Sequence, residues 1–129
     1  MKTSINLLFL IYIPILCFGQ VESKNFDLSV IHKCWTNSRE EATQSSTFIY
    51  RPCDYKTFPP SRFRDHIEFE ENGKCSYLYL APNDGHYMVQ GLWIYDKLTQ
   101  CIIIKDKSGK IVYNYKVISI ENDLLKMEQ

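Results

Sequence analysis

The sequence predicts an all-β domain, a small antiparallel up-and-down barrel of about eight strands. Three observations predict it. From His66 onward β-branched and aromatic residues alternate with polar ones, turn signals recur at short spacing, and 45% of the 129 residues are hydrophobic, enough to fill a core. A chain of hairpins leaves two raw edges unless it closes on itself, and closure removes the unpaired edge groups that invite aggregation. An open sandwich or curved sheet is the alternative.

The first part of the domain, Phe26 to Arg64, is irregular. It holds a possible short turn of helix, a strand around Lys33 to Thr36, a polar stretch Asn37 to Ser46, a strand Thr47 to Arg51, and a proline-rich loop from Lys56 to Arg64. A meander then follows. Ile67 and Phe69 alternate with Glu68 and Glu70 up to Asn72-Gly73, a pair that suits a two-residue hairpin turn. Lys74 to Ala81 is the next strand, Pro82-Asn83-Asp84-Gly85 a turn, His86 to Tyr95 a strand and Asp96 to Thr99 a connection. Cys101 to Ile104, the turn Lys107 to Lys110, the long strand Ile111 to Ile120 and a last strand Leu124 to Met127 complete the set.

Register counted outward from Asn72-Gly73 sets Ser76 opposite Phe69 and Leu78 opposite Ile67. Cys75, Tyr77 and Tyr79 then face Glu70, Glu68 and His66, on a polar face that is either solvated or the wall of a pocket.

Residues 1–19 read as a cleavable export signal: a basic start at Lys2, an apolar run from Ile5 to Leu16 too short for a convincing membrane span, and small residues at Cys17 and Gly19. Cleavage is expected before Gln20, which leaves one domain over 20–129, secreted or periplasmic, with no stable membrane insertion. Four cysteines remain. Cys34, Cys53, Cys75 and Cys101 in an oxidising compartment predict two disulfides with three possible connectivities. The more local choice is Cys34 with Cys53 and Cys75 with Cys101. The second of these requires distortion, because by the register above its cysteines sit two strands apart.

Fifteen basic residues balance fifteen acidic ones, so no field draws the chain to nucleic acid or to an anionic membrane. No two cysteines are close in sequence and His32, His66 and His86 stand alone, so neither a metal site nor a cofactor is expected. No nucleophile motif such as G-x-S-x-G or H-E-x-x-H occurs. The chain is not expected to be an enzyme.

The segments Trp35-Thr36-Asn37-Ser38-Arg39-Glu40-Glu41, Tyr50-Arg51-Pro52, Phe58 to Arg64, Phe69 to Gly73 and Gly91-Leu92-Trp93, in this order and spacing, resemble the lipocalin-like family of small exported bacterial proteins. The resemblance implies an up-and-down barrel whose better-known relatives hold apolar small molecules in the barrel mouth. Two functions stay open: a carrier or sensor for a small apolar or amphipathic ligand, and a protein-interaction module with a filled barrel.

The candidate ligand-binding residues are Trp35, Arg51, Arg62, Arg64, Tyr77 and Tyr79, tyrosines for an apolar body and guanidiniums for an anionic group. Ser38-Arg39-Glu40-Glu41 has a competing structural reading. Ser38 and Glu41 fit a capping box that starts a short helix over the barrel end, and the acidic pair faces the same arginines.

Overall fold

In a computed structural model, which describes residues 22–129 together with Pro14 and Gly19, the chain is built almost wholly of strands. The expected cleavage point before Gln20 and nearly all of the export signal lie outside the described residues. The strands are β1 (Cys34–Asn37), β2 (Thr47–Pro52), β3 (His66–Phe69), β4 (Lys74–Leu80), β5 (His86–Asp96), β6 (Cys101–Lys105), β7 (Ile111–Ile120) and β8 (Leu125–Glu128). All neighbours pair antiparallel and close into a barrel in the order β1-β2-β8-β7-β6-β5-β4-β3. The all-β barrel of eight strands is the expected fold class.

β3 to β8 form the expected meander, and the β1–β2 hairpin fills the gap between β3 and β8 with β1 against β3 and β2 against β8. β2 and β3 therefore flank β1 and run parallel to each other. Their connection, residues 53–65, has to travel back along β1 from its Cys34 end to its Asn37 end. β1 is buried on both faces in consequence: Trp35 (0% exposed) points into the core and Thr36 (1%) points the other way, against His66.

Three hairpin turns share one geometry. In each, the residue before the loop donates its amide to the carbonyl four residues on, and the last loop residue donates back: Glu70 with Lys74 and Gly73, Ala81 with Gly85 and Asp84, Asp106 with Lys110 and Gly109. The closing residues Gly73, Asp84 and Gly109 have φ of 77°, 62° and 87°, a three-residue loop ending in the left-handed region. This corrects the two-residue turn expected at Asn72-Gly73. The extra residue shifts the register by one, so that Phe69 faces Cys75 and Ile67 faces Tyr77. A one-residue shift exchanges the faces. Cys75 and Tyr77 accordingly point into the core, and Glu68 and Ser76 point outward.

One of the two expected disulfides is formed. Cys34 and Cys53 are bonded across β1 and the end of β2, with Cα atoms 5.5 Å apart. Closing a loop of this length contributes about 3 kcal/mol by restricting the unfolded chain. Cys75 and Cys101 are free. Cys75 pairs with Gly91 and Cys101 with Asp96, five residues further along the shared strand β5, a separation of about 17 Å in that direction alone. No local distortion bridges that distance.

One end of the barrel is plugged by a 3-10 turn, Leu28–Ile31. Ile31 is fully buried and its carbonyl accepts from Trp35 Nε1 at 2.8 Å. Above this plug the interior is packed with Tyr50, Ile67, Phe69, Trp93, Ile102, Ile104, Tyr115, Leu125 and Met127. Strand number alone permits a hollow or a filled eight-stranded barrel; side-chain size makes this one filled.

Candidate functional site

The open end gathers the β1–β2, β4–β5 and β6–β7 connections. β5 keeps its pairing with β4 from Leu92 back to His86, but its pairing with β6 stops at Leu92 opposite Lys105. The β4–β5 hairpin therefore overshoots the paired edge of β6 by six residues of β5, His86 to Gly91. Side chains that point inward along these strands leave the core and become the wall of a cleft. Tyr77 is still buried; Tyr79 and Tyr87, cross-strand partners with ring centroids 5.5 Å apart, are 40% and 54% exposed.

The cleft has a volume of about 850 Å³, with Tyr77, Tyr79, Tyr87 and Met88 on one side and Lys107 and Lys110 on the other. Asp106 begins the same turn, and its Oδ1 accepts from Ser108 N, Ser108 Oγ and Lys110 N, which ties the carboxylate to its own turn. Those bonds, Ser108's hydroxyl first, hold its pKa below the usual carboxylate range. Lys107 and Lys110 make no ion pair among the described residues. A positive rim beside an aromatic wall suits an acidic group on an apolar body.

An aromatic column leads inward from the cleft. Tyr77 meets Tyr113 edge to face at 5.8 Å, Tyr113 stacks on Tyr115 at 5.4 Å, and Tyr115 meets Phe48. Asp65, at the start of β3, accepts from Tyr50 Oη at 2.6 Å. Burial raises the Asp65 carboxyl, and burial together with the Asp65 charge raises the hydroxyls of Tyr50, Tyr113 and Tyr115. Asp65 and the lysines of the β6–β7 turn carry no sequence motif that marks them as site residues. As residue types Tyr113 and Tyr115 suit a core or a pocket equally well; nothing in the local sequence shows that Asp65 reaches Tyr50.

The sequence-predicted candidates separate in space. Tyr77 and Tyr79 line the cleft. Trp35 lies at the plugged end, wholly buried. Arg51 and Arg64 are engaged internally: Arg51 grips Glu41 with two bonds of 3.0 and 2.8 Å and the Asp123 carbonyl with a third. Arg64 takes both oxygens of Glu40 as well as the carbonyls of Asn37 and Pro59. Arg62 is exposed and lies over the ring of Phe63 at 4.8 Å, and Phe63 in turn meets His86 of the β4–β5 hairpin at 5.1 Å. Phe63 holds φ of 55°, a conformation a bulky residue rarely adopts.

The expected capping box does not form. Ser38 makes no side-chain cap bond, the turn Arg39–Glu41 is a short 3-10 segment, and the Glu41 carboxylate goes to Arg51. These two fork-to-fork pairs clamp the β1–β2 connection to β2 and to the 53–65 segment. The Arg51 hydrogen bonds hold the Glu41 pKa at about 2, against 4.5 for a free side chain. A depressed carboxylate contributes stability that is whole above the unfolded pKa and is lost as pH falls through the folded one. The pair should therefore weaken between about pH 4.5 and 2. Glu41→Gln should unfold at lower urea than the parent at pH 7 and lose less than the parent on acidification through that window. An equal acid loss in both proteins would place the sensitivity elsewhere.

The Thr36 hydroxyl touches His66 Nδ1, superficially a nucleophile with its base. Thr36 is too deeply buried to meet a substrate.

Comparison of the chain with protein-family models, curated proteins and solved structures finds no match. Among the described residues no helix is long and apolar enough to cross a membrane.

Proposed function

We propose that this is an exported, lipocalin-like binding protein that takes a small amphipathic molecule at the mouth of its barrel and performs no catalysis on it. The cleft of about 850 Å³ at the open end carries the reading. Its exposed tyrosines offer an apolar wall, and Lys107 and Lys110 supply cations that make no ion pair among the described residues. Because the interior is packed, the ligand sits in the flared mouth and not deep in the barrel. A structural disulfide and the signal-like N-terminus support export to the periplasm or beyond, and the balanced charge argues against a nucleic-acid partner.

A second reading, recognition of a protein segment, is favoured by one observation. Among the described residues, no strand pairs with the side of β5 from His86 to Gly91 that faces away from β4, an edge that an extended chain can join.

The test is a fluorescence titration with an anilinonaphthalene sulfonate, an aromatic body carrying one anion. The parent should bind one equivalent. Tyr87→Ala and Lys107→Glu should each weaken binding about tenfold, or about 1.4 kcal/mol, with the near-ultraviolet circular dichroism of the fold unchanged. No saturable binding by the parent, or variants that bind as the parent does, would remove the small-molecule reading and leave the edge of β5 as the surface to test.

A further inference from the structure

We propose that the Cys34–Cys53 disulfide and His66 constitute a latent metal site: when the disulfide is reduced, the two cysteines and the imidazole bind one Zn²⁺, with the fourth position left to water. Along the chain these three residues stand 13 to 32 positions apart. The barrel brings them together. β1 contributes Cys34, the end of β2 contributes Cys53 and β3 contributes His66, and their ligand atoms lie within 4.8 Å of one another, all partly buried. Tetrahedral zinc with sulfur at about 2.3 Å and nitrogen at about 2.0 Å sets its ligand atoms roughly 3.5 Å apart, a small rearrangement from this starting point.

Backbone pairing, not the disulfide alone, holds the three residues in place. Cys53 N donates to Cys34 O at 3.1 Å, Cys34 lies opposite Glu68, and Thr36 lies opposite His66. Opening the S–S bond leaves these ladders standing. The Thr36 hydroxyl also sits against His66 Nδ1. With Nδ1–H donating to that oxygen, Nε2 keeps its lone pair for an ion, the arrangement by which outer partners orient a metal-binding imidazole. Access is present as well: a cavity of about 380 Å³ lined by Lys33, Cys34, Pro52, Cys53 and Asp54 opens onto the sulfurs.

The chemistry balances with a small thiol as reductant. Two RSH are oxidised to RSSR while the two electrons and two hydrogens they give up convert the disulfide into two protein thiols. Zn²⁺ then displaces both thiol protons and forms a neutral dithiolate–imidazole complex. The two states exclude each other, so the site reports the redox poise of its surroundings. Its position on the outer face of β1, away from the tyrosine cleft, makes it independent of the ligand reading.

The experiment uses Co²⁺ as the probe, on full-length mature protein reduced with a phosphine. The reduced parent should bind one Co²⁺ per chain with the thiolate charge-transfer and visible bands of a tetrahedral site, and Zn²⁺ should displace it; the oxidised parent should show neither. His66→Ala should weaken binding by at least about tenfold, and Thr36→Val, which keeps all three ligands, by about 10- to 100-fold. Should the reduced chain unfold, added Zn²⁺ must restore its near-ultraviolet circular dichroism. Absence of tetrahedral bands in the reduced parent, equal affinity in His66→Ala, or failure of Zn²⁺ to refold an unfolded reduced chain would each overturn the proposal.

Discussion

Gly91→Ala is expected to destabilise the barrel by about 2–3 kcal/mol, with a fall in Tm on the order of 10 °C or more. A methyl group at Gly91 would lie 2.4 Å from the Lys105 carbonyl oxygen and 2.9 Å from Tyr77 Cε1. The first contact is with backbone and has no cheap way to yield. It falls where β6 leaves β5 and the register slips between Ile104 and Lys105, so the missing Cβ is what lets β6 bend inward over β5. Displacing Lys105 would also disturb the Lys107–Lys110 side of the cleft. Gly109→Ala is the matched control: nothing lies within 4 Å of its Cβ position, and its cost is the left-handed φ of 87° alone, about 1 kcal/mol. The measurement is thermal and urea unfolding of both variants. A Gly91→Ala protein as stable as Gly109→Ala would show that β6 can retreat and that this close approach is incidental.

Trp35→Ala should cost about 3–5 kcal/mol, a large part of the 5–15 kcal/mol typical of a whole domain. Its ring is fully buried at the plugged end, and its Nε1 holds the carbonyl of Ile31, so truncation opens a cavity and releases the 3-10 turn that seals the barrel. Trp35→Phe keeps most of the packing and removes the donor, which should cost only about 1–3 kcal/mol. Urea midpoints separate the two effects, and limited proteolysis before Asn37 reports whether the plug has detached. A loss below about 1 kcal/mol in Trp35→Ala would mean that the plug is not part of the cooperative core.

The meander was readable because each strand carries its own local signal. β4, β5 and β7 have β-branched and aromatic runs bounded by Asn-Gly, Asn-Asp-Gly and Ser-Gly, and those strands lie within a residue of where periodicity puts them. The register was not readable to the last residue. Asn72-Gly73 serves a two-residue and a three-residue loop equally well in composition, and the one-residue difference moved Cys75 and Tyr77 from an outer face to the core. Of the site, the tyrosines were visible as residue types. Their exposure at Tyr79 and Tyr87 arises from the length of β5 relative to β6, a difference that only strand pairing reveals.

By itself the sequence determined the fold class, the positions of most strands, the even set of four cysteines, and the absence of a charge field. These follow from alternation, turn residues and composition, all of which act over a few neighbouring positions. Tertiary structure alone decided which strand lies beside which, that Cys75 and Cys101 are too far apart to bond to each other, that Arg51 and Arg64 serve Glu41 and Glu40, and that Cys34, Cys53 and His66 converge. The insertion of the β1–β2 hairpin between β3 and β8 is the physical reason. It places β1 at the centre of three strands, so residues 19 and 32 positions away along the chain meet Cys34 on one face of the sheet. No pattern within a window of sequence encodes such a meeting.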